Sequence, residues 1–276
     1  MDTRKVLKIY DPAPASDGAG VRLLRAIGSN ELNHFDPFLL LDEFKSDNAD
    51  DYIAGFPSHP HRGFETVTYM LAGVMRHKDS TGKSGDLHPG AVQWMTAGRG
   101  IVHSEMPIQK DGLIWGFQLW VNLPASEKMR APRYQNIAPE DVPIVKRDDG
   151  VTIKVIAGEV DGVKGAATDI VTDPLYIDIT IPPGKSVTQP APRGHNAFAY
   201  GVEGNAIFGD QTLTPSRLAT LGDGDHVTVK AGKDGARLLV LAAKPIREAV
   251  VRHGPFVMNT HEEITEAIED YRSGKF

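Results

Sequence analysis

Short apolar runs with a period of two, each cut off by glycine or proline, recur along this chain. Thr66-Val67-Thr68-Tyr69-Met70, Ile153-Lys154-Val155-Ile156 and His226-Val227-Thr228-Val229 are examples. A period of two is the signature of a half-buried strand. With 28 glycines and 19 prolines spread among such runs, long helices have little room. Many short strands at close spacing predict an all-β fold, a sandwich or barrel, and not a parallel α/β sheet. One helix is signalled, near the C-terminus. Ile264, Ala267, Ile268 and Tyr271 recur at helical spacing, Thr260 with Glu263 forms a capping box, and Gly274 sits where the helix would stop.

The 276 residues suffice for two domains that bury their own cores. Pro132, Pro139 and Pro143, followed by the polar run Lys146-Arg147-Asp148-Asp149-Gly150, predict a linker over 132–150 between domains at 1–131 and 151–276. The two parts look alike. Gly63, Tyr69, Gly73 and Asp79 in the first match Gly194, Tyr200, Gly204 and Asp210 in the second at a constant offset, which reads as two copies of one β domain.

The chain has no cysteine, which excludes disulfides, zinc ribbons, iron–sulfur clusters and thiol nucleophiles. Any metal must be held by nitrogen and oxygen. A formal charge of −6 and the lack of a long basic run argue against direct nucleic-acid binding. No apolar run approaches the ~20 residues that span a bilayer. The N-terminal segment lacks the apolar core of a signal peptide, so a cytoplasmic location is expected.

Two short motifs carry the chemistry. In His59-Pro60-His61 the imidazoles sit at i and i+2, on one face of a strand and ~7 Å apart along it. His103-Ser104-Glu105 repeats the pattern after the glycine-containing turn Ala97-Gly98-Arg99-Gly100. Two such pairs on paired strands make a compact set of four ligands: His59, His61, His103 and Glu105. Imidazole plus carboxylate suits iron, manganese, cobalt, nickel, copper or zinc. Glu65 shares the parity of His59 and His61. His34, His77, His88, His195, His226, His253 and His261 lack such company and read as surface or hydrogen-bonded structural residues. In the second copy the repeat offset sets Pro190 opposite His59, Pro192 opposite His61 and Asn196 opposite Glu65. Proline offers no side-chain ligand, so this copy is expected to hold no metal.

Around these residues the chain resembles the pirin family, a bicupin branch of the cupin superfamily. The stretches that carry the resemblance are His59-Pro60-His61-Arg62-Gly63-Phe64-Glu65-Thr66-Val67-Thr68-Tyr69 and the run from Gln93 to Pro107. Asp36-Pro37-Phe38-Leu39, Gln118-Leu119-Trp120-Val121-Asn122-Leu123-Pro124 and Gly254-Pro255-Phe256-Val257-Met258-Asn259-Thr260 add to them. The resemblance implies two jelly-roll-like cupin β-barrels and a single metal, most often iron, in the N-terminal one. It sets the ligands on His59, His61, His103 and Glu105, and leaves Glu65 a supporting role.

Two functions follow as expectations. Family members similar to quercetinases cleave a flavonol with O₂ and release carbon monoxide. In that reading Glu105 takes the proton of the flavonol 3-hydroxyl. The alternative is a non-enzymatic, iron-binding, redox-responsive regulator that binds a transcription factor or a metabolic enzyme. Arg62 and Arg99, next to the ligand segments, read first as members of structural ion pairs and second as candidates for anion binding. Phe35, Phe38, Trp94 and Met106 are candidates for an apolar pocket wall, or else for the core.

Overall fold

A computed structural model describes residues 1–80 and 82–276 of the chain. The expected strands form at Phe64–Ala72, Thr152–Ala157 and His226–Ala243. The helix spans His261–Arg272 and opens on the expected capping box. The Thr260 hydroxyl accepts from the Glu263 amide at 3.2 Å, and the Glu263 carboxylate accepts from the Thr260 amide at 3.0 Å. The fold is all-β, with jelly-roll-like sheets that do not close into the expected barrels. Strand twist and the bulges where registers shift, as between Trp120 and Val121, bend the sheets without joining their edges.

Two compact units account for the chain, and each draws on separated segments. One comprises Met1–Ala13, Ser29–Pro37 and Glu140–Pro245; the other comprises Pro14–Gly28, Phe38–Pro139 and Ile246–Phe276. The stretch 132–150, read from its prolines as a linker, carries strands at both ends. Arg133–Ile137 pairs with Val92–Thr96 in one unit, and Ile144–Lys146 pairs with Thr152–Ala157 in the other. Proline punctuation marks the turns between these strands but does not stop short edge strands from pairing on either side.

In the unit that holds Glu140–Pro245, the strands Val6–Tyr10, Leu218–Leu221, Asn196–Phe208, His226–Ala243, Leu175–Ile181, Thr152–Ala157 and Ile144–Lys146 lie side by side in that order. Its interior holds a large, mostly aliphatic cluster that includes Val155, Ile177, Ile179, Val187, Val229 and Leu238.

The other unit is built differently. A seven-stranded sheet contains Arg133–Ile137, Val92–Thr96, Phe64–Ala72, Ile114–Asn122, Phe38–Ser46, Val21–Ile27 and Ala13–Asp17 in order, and a four-stranded sheet contains Phe56–His61, Ile101–Pro107, Met75–Asp79 and Ser84–Leu87. Its apolar interior includes a cluster around Phe44, Met70 and Ile114 and another around Leu40, Phe64 and Trp120.

The turn that follows Phe56–His61 in this unit is pinned from several sides. Gly63 has a φ of 91°, and a Cβ there would stand 2.0 Å from the Val257 carbonyl oxygen, so only glycine fits. The buried Lys128 ammonium donates to the Gly63 carbonyl at 2.7 Å, to Asn122 Oδ1 at 2.7 Å and to the Val257 carbonyl at 2.9 Å. Arg62 donates to the Arg99 carbonyl and to Asp270 at 3.0 Å, with the ring of Phe276 4.5 Å from its guanidinium carbon. Arg62 is thus a structural cation that ties the C-terminal helix to this strand.

Lys128→Met should keep the volume and remove all three donors. A buried acceptor left without a donor costs about 1–3 kcal/mol, so the variant is expected to lose roughly 3 kcal/mol or more in urea unfolding. A loss below about 1 kcal/mol would show that the carbonyls find other donors.

Candidate metal centre

The strands that carry the two motifs are neighbours. Phe56–His61 pairs antiparallel with Ile101–Pro107, with His103 opposite His59 and Ile101 opposite His61. Alternation then sends His59, His61, His103 and Glu105 to the same inward face. His61, His103 and Glu105 are buried, and His59 is half-buried.

Three of the four expected ligands converge. His59, His61 and His103 each offer a ring nitrogen, all within 4.8 Å of one another. His59 Nε2 and His61 Nε2 are 3.0 Å apart, and both ring nitrogens of His103 are buried without a hydrogen-bond partner. An orphaned buried imidazole next to two others fits the donor chemistry of a transition ion, and neutral nitrogen is the form that ligates. Burial, then the neighbouring imidazoles, holds His61 and His103 well below the usual histidine range, so both are neutral.

Glu105 stands outside that 4.8 Å group. The Thr68 hydroxyl lies 2.9 Å from its Oε1, and the Gln118 amide donates to its Oε2 at 3.1 Å. The same Thr68 hydroxyl lies 2.7 Å from Gln118 Oε1. With one proton, it can donate to only one of these two acceptors at a time. Burial raises the Glu105 carboxyl above its ordinary range.

Glu65 shares the expected parity but serves the framework. Its carboxylate accepts from Trp94 Nε1 at 3.1 Å and from Thr96 Oγ1 at 2.6 Å. Trp94 and Phe38 are core residues. Phe35 and Met106 are half-buried and, like Phe38 and Trp94, do not line the cavity described next.

A cavity of about 470 Å³ opens beside the cluster. His59, His61, Glu105 and Gln118 line it, with Phe56 and Trp120 among its apolar walls and Arg252 among its charged ones. The Trp120 ring packs edge-on against His61, with ring centres 5.3 Å apart.

Two residues on the same sheet face escaped the sequence reading. Ile101–Pro107 pairs on its other side with Met75–Asp79, which sets Asp79 opposite His103 and His77 opposite Glu105. His77 is buried, not on the surface, and neither of its ring nitrogens has a hydrogen-bond partner among the described residues. Its ring centre lies 5.6 Å from that of His103 and 4.7 Å from that of Tyr134. The available signal was His77-Lys78-Asp79, a third i, i+2 pair, masked by the charged Arg76 and Lys78 on either side of His77.

Comparison with known proteins bears on the same residues. The Pirin family pattern matches residues 20–121, and that of the Pirin C-terminal cupin domain matches residues 176–276. A pirin-like protein of Caulobacter vibrioides is 51% identical over the full length of both chains. Human pirin is 47% identical over 94% of this chain and 89% of its own. The crystal structure of a quercetin 2,3-dioxygenase from Acinetobacter baumannii superposes with a TM-score of 0.90 at 36% identity, covering 99% of this chain and 98% of the other.

The neutral histidines predict how the metal-free protein responds to acid. Below pH ~6.5 the unfolded chain protonates these imidazoles while the folded one does not. Stability therefore falls as pH drops through that range, by up to roughly 1.4 kcal/mol per pH unit for each histidine. Urea unfolding of metal-free protein between neutral and mildly acidic pH should show this slope, and His103→Gln should flatten it. Equal slopes in both proteins would contradict the assignment.

Proposed function

The chain belongs to the pirin family, and from that premise we propose that it is a metal-dependent dioxygenase that opens a flavonol such as quercetin with O₂ and releases carbon monoxide. The observation that carries this reading is the cavity of about 470 Å³ that joins a three-histidine cluster, a buried carboxylate and aromatic walls. Its size and lining suit a planar aromatic molecule.

His59, His61 and His103 would hold one divalent transition ion, iron in our reading, with manganese, cobalt, nickel, copper and zinc as the other candidates. Such an ion would supply Lewis-acid and redox chemistry, lowering the pKa of the substrate's 3-hydroxyl and activating the substrate toward O₂. Glu105 is the proton acceptor and the weaker fourth donor. As a carboxylate it accepts from the Thr68 hydroxyl. Once protonated on Oε1 it can donate to the Thr68 oxygen, while the Thr68 proton swings to Gln118 Oε1. The 2.9 and 2.7 Å separations suit both arrangements. Burial favours the protonated carboxyl and so helps it keep the proton. The apolar walls shield the electron-rich substrate from water.

The second unit is read as metal-free, because Pro190 and Pro192 occupy the corresponding positions. Relatives called simply pirin keep the alternative in play, a redox-responsive regulator with a protein partner.

Purified protein should bind one metal per chain, and His59→Ala, His61→Ala and His103→Ala should each lose most of it with the β fold retained. Glu105→Gln should keep the metal and lower flavonol turnover by about 10²- to 10⁴-fold. Oxygen consumption with a panel of flavonols and related enediols, in iron, manganese, cobalt, nickel and copper forms, tests the activity. Silence across that panel would overturn the dioxygenase reading in favour of the regulator. Equal rates for wild type and Glu105→Gln would remove Glu105 as the base.

A further inference from the structure

The cavity wall contains three charged side chains besides Glu105: Asp17, Asp42 and Arg252. Both aspartates are already engaged. Arg25 donates through Nε to Asp42 Oδ1 at 2.8 Å and through Nη2 to Asp42 Oδ2 at 2.6 Å. The same Nη2 donates to Asp17 Oδ2 at 2.7 Å, and the Gly18 amide donates to Asp17 Oδ1 at 2.7 Å. Arg252 differs. Its Nε donates to the Gly254 carbonyl at 3.2 Å, and its guanidinium carbon lies 4.6 Å from the centre of the Trp120 ring. The side chain is exposed at the cavity wall, where Asp17 and Asp42 act on its charge. The group is held at one edge and on one face, and its terminal N–H donors have no hydrogen-bond partner among the described residues.

Trp120 links this cation to the metal centre, since the same indole packs against His61. A flat molecule reaching from the histidine cluster along Trp120 arrives at those donors. We propose that Arg252 is a specificity residue of the cavity, and that its preferred ligand is a planar aromatic carrying an anionic substituent, a carboxylate or sulfonate, at the end remote from the histidines. A planar fork with two free nitrogens suits the bidentate capture of such a group. The inference rests on the cavity being the substrate site of the proposed function and adds the class of substrate it selects.

The test is anaerobic binding to the metal-loaded protein, read by quenching of tryptophan fluorescence, with quercetin and a sulfonated quercetin as probes. No turnover is involved, so the outcome is independent of the dioxygenase assay. Wild type should bind the sulfonate more tightly than quercetin by about tenfold, the scale of one charge-assisted hydrogen-bonded contact. The preference should shrink as salt is raised, because the site is partly open to solvent. Arg252→Gln should abolish the preference and its salt dependence while still binding quercetin; Arg252→Lys should keep part of both. Arg76→Gln, at an exposed ion pair with Asp86, is the control and should change neither. Equal affinity of wild type for the two probes, or a preference that survives in Arg252→Gln, would overturn the proposal. A normal preference in a protein that never consumes O₂ would sink the dioxygenase and leave this site standing.

Discussion

An imidazole or a carboxylate taken out of water costs several kcal/mol unless another group takes over its hydrogen bonds or its charge is removed. The unit built around His61 and His103 has to meet that cost repeatedly in its interior. It does so in two ways. The carboxylates are supplied with donors: Trp94 and Thr96 for Glu65, Gln118 and Thr68 for Glu105. The histidines are left neutral and partly unbonded, which avoids the cost of burying their charge. In the other unit Pro190 and Pro192 stand at the positions that match His59 and His61 by the repeat offset, and a large aliphatic cluster fills the space between its strands.

Much of this was legible from short-range pattern. The i, i+2 spacing of His59-Pro60-His61 and His103-Ser104-Glu105 is a statement about strand parity, and parity survives folding. The capping box at Thr260 is likewise local chemistry. The matched pair Gly63 and Gly194 both have positive φ, 91° and 73°, and Tyr69 and Tyr200 are both fully buried, as two copies of one turn and strand require. The match weakens at Asp79 and Asp210, one buried in a strand and the other in a turn.

What could not be read depends on pairing between distant segments. His77 and Asp79 join the inward face only because Met75–Asp79 pairs with Ile101–Pro107, and no local pattern announces that register. The assignment of terminal segments to the two units, and the choice of Asp270 as the ion-pair partner of Arg62, are likewise long-range facts. Trp94 illustrates the ambiguity of a lone aromatic. Its indole N–H finds a buried carboxylate, so it belongs to the framework, while Trp120, which drew no special notice, lines the cavity.

The clamp on the metal-side strand has a consequence for how the protein is made. Arg62 follows directly on His61, yet its carboxylate partner, Asp270, is 208 residues further along the chain. A ribosome adding about 5–20 residues per second delivers that partner on the order of ten seconds or more after the histidine motif has been made. During that interval the nascent chain carries the histidine motif but not the carboxylate that ties its strand to the helix. Docking of that helix is therefore a late event, and the strand stays without this clamp until the segment around Asp270 has been made.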